Sequence, residues 1–239
     1  MDINEKVSAH ACAVLRTFDI EPKPLDRIVD AYFRCHRELN ASVRRRIADL
    51  VFNVIRWRLR IEDELIRRGV KKPTREQIVA HYLDNAPFEI SDAPPKSSPV
   101  AVAAYYSLPR WLAKRLIKQE GKDRAYHLMA AFKTEAPVTL RTNTLKTTRG
   151  ELISVLRAAG YDVDATEYSP YGIALTKRLA LDVGESFKKG FFEVQEEASQ
   201  LASIAVGAKS GETILDACAG AGGKSLILAM IMGDLGTII

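Results

Sequence analysis

Apolar positions in the first third of the chain recur at intervals of three and four. Between Ala41 and Ile61, the residues Ile47, Leu50, Val51, Val54, Trp57 and Ile61 fall on one stripe of a helix that advances about 100° per residue. That stripe is the expected core face, and the first 83 residues as a whole read as helix after helix. Thr74 with Gln77 three residues on has the pattern of a capping box and marks a further helix start. The periodicity stops at Asp84. From there Pro87, Pro94, Pro95 and Pro99 stand among Ser and Asp, a density that suits neither a helix interior nor a central strand. Residues 84–100 are therefore expected to link an all-helical domain, residues 1–83, to the remainder of the chain.

Two more helices are predicted beyond the linker. One opens at Pro109 with Trp111, Leu112, Leu116 and Ile117 on its apolar side, and the other runs from Lys122 to Phe132. The pattern then changes period. Pro137 to Arg141 is short and β-compatible, Thr148 and Glu151 form a second capping box ahead of Leu152 to Ala159, and Gly160 stands where a helix C-cap glycine belongs. With strands near Tyr161–Ala165 and Gly172–Leu175 this predicts a small α/β unit, grouped with the two helices as residues 101–190. A third unit, residues 191–239, is expected to begin with a strand at Phe191–Val194 leading into a helix over Glu196–Val206.

The most informative stretch is Thr213 to Met232, TILDACAGAGGKSLILAMIM. A strand of β-branched and apolar residues ends in Asp216, a loop of small residues carries Gly220, Gly222 and Gly223, and an apolar helix comes next. This order is how open α/β sheets bind nucleotides at the carboxyl ends of their strands. Small residues let a ligand approach the backbone, and the helix N-terminus offers amide donors. Two fingerprints can be tested on spacing. A Walker phosphate loop needs Gly five residues before its Gly-Lys-Ser, where this chain has Cys218. A dinucleotide G-x-G-x-x-G counted from Gly220 through Gly222 ends on Ser225. Neither fits. An acidic strand end with glycines against the ligand suits the adenosylmethionine class, in which a carboxylate meets the cationic end of the cofactor.

Composition bounds the reading. With 47% hydrophobic and 27% charged residues the chain is globular on average. No apolar run approaches the roughly 18–20 uncharged residues that a membrane-crossing helix needs. The start, MDINEKVSAHACAVL, lacks the basic-then-apolar order of a signal peptide. A cytoplasmic protein without a membrane partner is expected. Cys12, Cys35 and Cys218 are odd in number and form no C-x-x-C pair, so neither a disulfide framework nor a metal site is expected. His10, His36, His81 and His127 are scattered and read as surface or structurally satisfied histidines.

A formal charge of +5 and a pI near 9.1 suit an anionic partner, and the distribution of charge says more than the total. Opposite the apolar stripe of the long helix lie Arg45, Arg46, Asn53, Arg56 and Arg60, with Asp49 and Phe52 among them. Guanidiniums that contact phosphates, with an aromatic ring as a stacking surface, are a common way to hold RNA. Arg45, Arg46, Arg56 and Arg60 are thus candidate RNA-binding residues, set against the plainer reading of a solvated helix face.

The loop Asp216 to Ser225, DACAGAGGKS, resembles the cofactor motif of the NOL1/NOP2/Sun family of RNA cytosine-5 methyltransferases, especially its bacterial ribosomal RNA methyltransferase B branch. Val194 to Leu201, VQEEASQL, resembles the family's helix entering the catalytic domain. Val138 to Leu152, VTLRTNTLKTTRGEL, and Leu108 to Ile117 resemble the small preceding domain, and the arginine-rich N-terminal helices resemble a NusB-like RNA-binding domain. The likeness covers nearly the whole chain, in the family's order. It implies an all-α NusB-like domain, a small α/β domain and the beginning of a Rossmann-like α/β methyltransferase domain.

For the site, the resemblance implies that S-adenosylmethionine is contacted by Cys218, Ala219, Gly220, Ala221, Gly222, Gly223 and Lys224, with Asp216 closing the strand. Ala221 stands where many members have Pro and Ser225 where they have Thr; both changes are small. In the family the cysteine at Cys218 belongs to the cofactor loop, and the chemistry is carried by cysteines in later motifs, expected beyond Ile239. The implied function is S-adenosylmethionine-dependent methylation of cytosine C5 in RNA, 16S ribosomal RNA in that branch, with this chain inactive alone. A non-enzymatic RNA-binding module is the alternative from another class. Because two strands of an open sheet do not complete a domain, self-association or fraying from about residue 212 is also expected.

Overall fold

The computed structural model describes residues 3–88, 90, 98–134, 136–175 and 185–239. The chain divides into two compact units, Met1–Thr134 and Glu135–Ile239. This division falls later than the expected linker at 84–100. Residues 89 and 91–97 of that linker lie outside the described residues, while Asp84 and Asn85 still belong to a helix and Pro99 opens the next one.

The first unit is helical. It comprises α1 (Ile3–Ile20), α2 (Leu25–Cys35), α3 (Ala41–Arg67), α4 (Arg75–Asn85), α5 (Pro99–Tyr105), α6 (Arg110–Glu120) and α7 (Lys122–Ala131). The stripe read from the sequence is buried: Ile47, Leu50, Val51, Val54, Trp57 and Ile61 all face inward from α3, against Val7, Ala11 and Val14 of α1 and Ile78 and Val79 of α4. Asn40 caps α3 by accepting from the Val43 amide at 2.9 Å, and Thr74 and Gln77 form the reciprocal capping box of α4. A second core of Val102, Ala103, Tyr106, Ala113, Ala125 and Met129 joins α5, α6 and α7, and Ile90 packs against both cores. Trp111, expected on the apolar side of α6, is 65% exposed. Small Ala113 takes the buried position instead, because α6 meets its neighbours along the Ala113, Leu116 and Ile117 edge. No described helix is long and apolar enough to cross a membrane.

The second unit opens with β1 (Val138–Thr142), α8 (Arg149–Ala158), β2 (Val163–Ala165), β3 (Gly172–Leu175), α9 (Glu185–Lys188) and β4 (Phe192–Val194). These strands form one antiparallel sheet in the order β2-β3-β1-β4. Element order and strand order together are those of the split βαβ arrangement of ferredoxin-like domains. The sequence pattern assigns β4 to the opening of a third unit. It pairs with β1 instead, with Leu140 opposite Val194 and Thr142 opposite Phe192, and so completes this sheet.

β1 is buried along both faces, as a central strand covered on two sides must be. Leu140 joins the apolar core with Leu152, Leu156, Val163, Ile173 and Phe192. Thr139 and Arg141 alternate to the other face. That face is met by α10 (Glu197–Ile204). After α10 come β5 (Thr213–Ile214), α11 (Gly223–Ile231) and β6 (Thr237–Ile238), the two strands running parallel. Leu228 and Met232 pack with Ala208, Ile214 and Ile238 beneath this pair, while Leu215, Leu226, Leu235 and Ile239 stay exposed.

Candidate functional site

The loop between β5 and α11 has the geometry of a ligand cradle. Gly220 (φ 54°) and Gly222 (φ 83°) take left-handed backbone, and Gly222 is the N-cap of α11. A Cβ added at Gly222 would meet no atom within 4 Å, and one at Gly220 would meet only the Cys218 carbonyl at 3.9 Å. Space therefore lies open above both residues. Among the described residues the amides of Gly220, Ala221, Gly223 and Lys224 have no protein acceptor, which leaves a group of donors beside the positive end of a helix.

Asp216 shapes this loop from within. Its Oδ1 accepts from the Cys218 amide at 3.2 Å and its Oδ2 accepts from the Ser225 hydroxyl at 2.7 Å. One carboxylate thus ties the strand end, the loop and the first turn of α11 together. Cys218 is a free, exposed thiol, and Ala219, Ala221 and Lys224 line the same loop. The structure brings all eight residues of the expected cofactor site, from Asp216 to Lys224, onto one connected turn.

A buried polar relay supports the loop from the four-stranded sheet. Arg141 in β1 is 2% exposed, and its Nε donates to Oε1 of Gln195 at 2.7 Å. The Gln195 Nε2 in turn donates to the Gly223 carbonyl at 3.1 Å, in the first turn of α11. Gln195 is itself pinned, since its amide donates to the Thr139 carbonyl at 3.0 Å and its carbonyl accepts from Gln200 Nε2 at 2.8 Å. Gln200 is fully buried and accepts from the Ser169 hydroxyl at 2.6 Å. The remaining edge of the Arg141 guanidinium faces the Met230 sulfur of α11 at 3.6 Å. Among the described residues no carboxylate comes within ion-pair distance of Arg141. Burial lowers its pKa from the ordinary arginine value, and the neighbouring Glu193 works against that shift.

The arginines of α3 part company. Arg45 is exposed, as is Phe52, while Arg46 reaches Asn4 of α1 and Arg56 stands on the same outer side. Asn4, Arg46, Asp49, Asn53 and Tyr82 line a cleft of about 530 Å³ on this face. Arg60 is placed differently. Its Nε donates to Glu64 at 2.9 Å, and its guanidinium lies over the rings of Phe88 (4.8 Å) and Tyr105 (4.9 Å). Burial alone would raise the Glu64 carboxyl, but hydrogen bonds from Arg60 and His81 hold it below the usual range.

Comparison with known proteins bears on what such a chain is. The family model described as the methyltransferase RsmF/B-like, ferredoxin-like domain matches residues 108–182. The probable ribosomal RNA small subunit methyltransferase B of Bacillus subtilis is 32% identical over 137 residues, 57% of this chain and 30% of that protein. The mouse 28S rRNA (cytosine-C(5))-methyltransferase is 29% identical over 140 residues, 58% of this chain and 18% of that protein. These matches support the NOL1/NOP2/Sun family.

The chain spans about a third of the length of the bacterial relatives it matches. Its fold is similar to the crystal structure of PH0851, with a TM-score of 0.70, 22% identity and coverage of 100% of this chain and 63% of that one. A methyltransferase homolog protein from Pyrococcus horikoshii is 26% identical with a TM-score of 0.54, over 60% of this chain and 47% of that one. Against this family background Arg141, Gln195 and Gln200 are the site-supporting residues that sequence reasoning missed. Their segments, VTLRTNTLK and VQEEASQL, carry the resemblance, yet nothing in either string says that an arginine in one meets a glutamine in the other.

Proposed function

We propose that this chain holds the cofactor-docking and RNA-engaging parts of an S-adenosylmethionine-dependent RNA cytosine-5 methyltransferase acting in the cytoplasm on small-subunit (16S) ribosomal RNA. The observation that carries the reading is the open turn of unpartnered amides above Gly220 and Gly222, braced by Asp216. A bound S-adenosylmethionine would supply the electrophilic methyl group. Cys218, Ala219, Gly220, Ala221, Gly222, Gly223 and Lys224 would hold it, their backbone donors meeting its polar groups and their small side chains permitting close approach. Asp216 would add a negative potential toward the cofactor's cationic end while it keeps the turn closed. The turn fits such a ligand because no side chain fills the space that a Cβ at Gly220 or Gly222 would open onto.

In this reading residues 1–83 are a NusB-like RNA-binding domain, and β5, α11 and β6 begin a Rossmann-like domain. Arg45, Arg46 and Arg56 supply phosphate contacts, while Arg60 chiefly holds the helical unit together through Glu64, Phe88 and Tyr105. Calorimetric titration of the chain with S-adenosylhomocysteine tests the cofactor part. Binding that Asp216→Ala weakens at least about tenfold is the expected result. No binding, or binding indifferent to Asp216→Ala, would remove the cofactor assignment. RNA binding without cofactor binding would then leave the second reading, a non-enzymatic RNA-binding module, which the arginine face of α3 favours.

A further inference from the structure

We propose a second RNA-contact surface on α6, made by Trp111, Lys114, Arg115 and Lys118, that takes single-stranded RNA. These residues stand at i, i+3, i+4 and i+7 of one helix, so they share a face spanning roughly a third of its circumference. All four are exposed, and Trp111 at 65% is among the most exposed large apolar side chains of the protein. Among the described residues no carboxylate pairs with Lys114, Arg115 or Lys118, whereas nearby Glu120 is already taken by Arg124 at 3.1 Å. The face therefore keeps three positive charges around one indole.

The other tryptophan shows how unusual this placement is. Trp57 is 8% exposed and packs beside Phe88, as an indole in a helical core does. An indole left in water between cations fits an unpaired base, whose flat face it can stack on while the cations meet the flanking phosphates. Lys114 and Lys118 are separated by about 6 Å along the helix axis at 1.5 Å per residue, which lets them meet phosphates on one strand. Charge complementarity thus selects a polyanion, and the exposed ring selects an unstacked one over a duplex. This inference rests on the RNA reading above and concerns residues apart from the α3 arginines.

The two tryptophans also supply the probe. The 239-residue chain would be titrated with a single-stranded oligouridylate while its fluorescence is followed, with Trp111→Phe to separate the two signals. Quenching that disappears in Trp111→Phe is expected. Trp111→Ala should weaken binding about tenfold or more. The triple variant Lys114→Gln, Arg115→Gln, Lys118→Gln should lower the slope of log K against log salt by about 2, from roughly 0.7 per phosphate contact on a single strand. All of these side chains are exposed, so unchanged circular dichroism and melting should accompany the loss. Binding that leaves Trp111 unquenched and the slope unaltered would overturn the α6 surface while leaving RNA binding by α3 intact. A chain that binds no oligouridylate at all would overturn both. A change in Trp111 emission on concentrating the protein without RNA, with no further change on adding it, would assign the face to a second copy and overturn the proposal.

Discussion

Nε of Arg141, in the central strand β1, donates to Oε1 of Gln195 at 2.7 Å, and the same amide group passes the interaction on to the Gly223 carbonyl. A cation buried without a carboxylate is costly, and a hydrogen bond from a charged donor in such a place contributes about 1.5–3 kcal/mol. The sheet and the glycine turn are therefore held to one another through a single neutral side chain that accepts on one side and donates on the other.

Replacing Gln195 with Ala should leave the guanidinium without its acceptor and take one of two donors from the Gly223 carbonyl, which keeps its bond within α11. The expected loss is roughly 1–3 kcal/mol in the second unit, chiefly for the stranded buried cation. Gln195→Glu separates the two halves of the relay. Its carboxylate pairs better with Arg141 but cannot donate to Gly223, so amide exchange should quicken in the first turn of α11 while β1 stays protected. Equal exchange in both variants and the parent would show that the relay does not support the turn.

The glycines of the second unit should rank by what a methyl group would meet. Gly222→Ala carries only the left-handed strain of φ 83° in open space, about 1–2 kcal/mol. Gly236→Ala would set its Cβ into Met232 and the Glu212 carbonyl, within 2.5 Å of the latter, on top of a φ of 140°. It should cost roughly 3 kcal/mol or more, since overpacking adds to strain. Urea unfolding of both variants checks the order, and a Gly222→Ala chain less stable than Gly236→Ala would contradict it.

On α3 the outer and the caged arginines should separate into two phenotypes. Arg45→Gln, Arg46→Gln and Arg56→Gln together should reduce the salt dependence of RNA binding by about 2 in slope and leave the melting temperature unchanged. Arg60→Gln should instead lower stability by about 1–2 kcal/mol, because it removes a partly buried ion pair and ring contacts. An Arg60→Gln chain that melts like the parent and binds RNA more weakly would move Arg60 to the RNA face.

Lys133 predicts a pH dependence. Burial, joined by the charge of Arg56, pushes its amine down to about 8, while Nζ donates to the carbonyls of Arg56 and Ser107, each at 3.1 Å. In the unfolded chain the amine returns to its ordinary 10.5. Between those two values the unfolded state binds the proton that the folded state has shed, so this group makes stability rise with pH across the window. Below it both states are protonated, and the folded state bears the cost of a buried ammonium. Unfolding free energies of the parent minus those of Lys133→Met should therefore climb from about pH 8 to 10.5 and lie flat below about pH 7. A difference that does not vary with pH would mean that the amine is not depressed.

Much of the local structure was legible in the residues. The α3 stripe from Ile47 to Ile61, the capping boxes at Thr74 and Thr148 and the strand–loop–helix order around Asp216 depend on neighbours within a few positions. What escaped depends on partners far along the chain. Arg141 meets a residue 54 positions away, β4 finds β1 across a similar gap, and Arg60 is enclosed by rings from segments that each look unremarkable alone. Trp111 shows the converse failure. Its apolar surface promised burial by periodicity, but helix α6 leans on Ala113 and leaves the indole in water.

Between Val194, the last residue of β4, and Glu197, the first of α10, stand only Gln195 and Glu196. With the backbone of Gln195 engaged at both its amide and its carbonyl, this joint has no slack. Its length is thereby a tolerance: an inserted or deleted residue there would turn the glutamine away from Gly223 and misalign the turn without touching one residue of the loop itself. Recombination between relatives should reject changes of length at this two-residue joint.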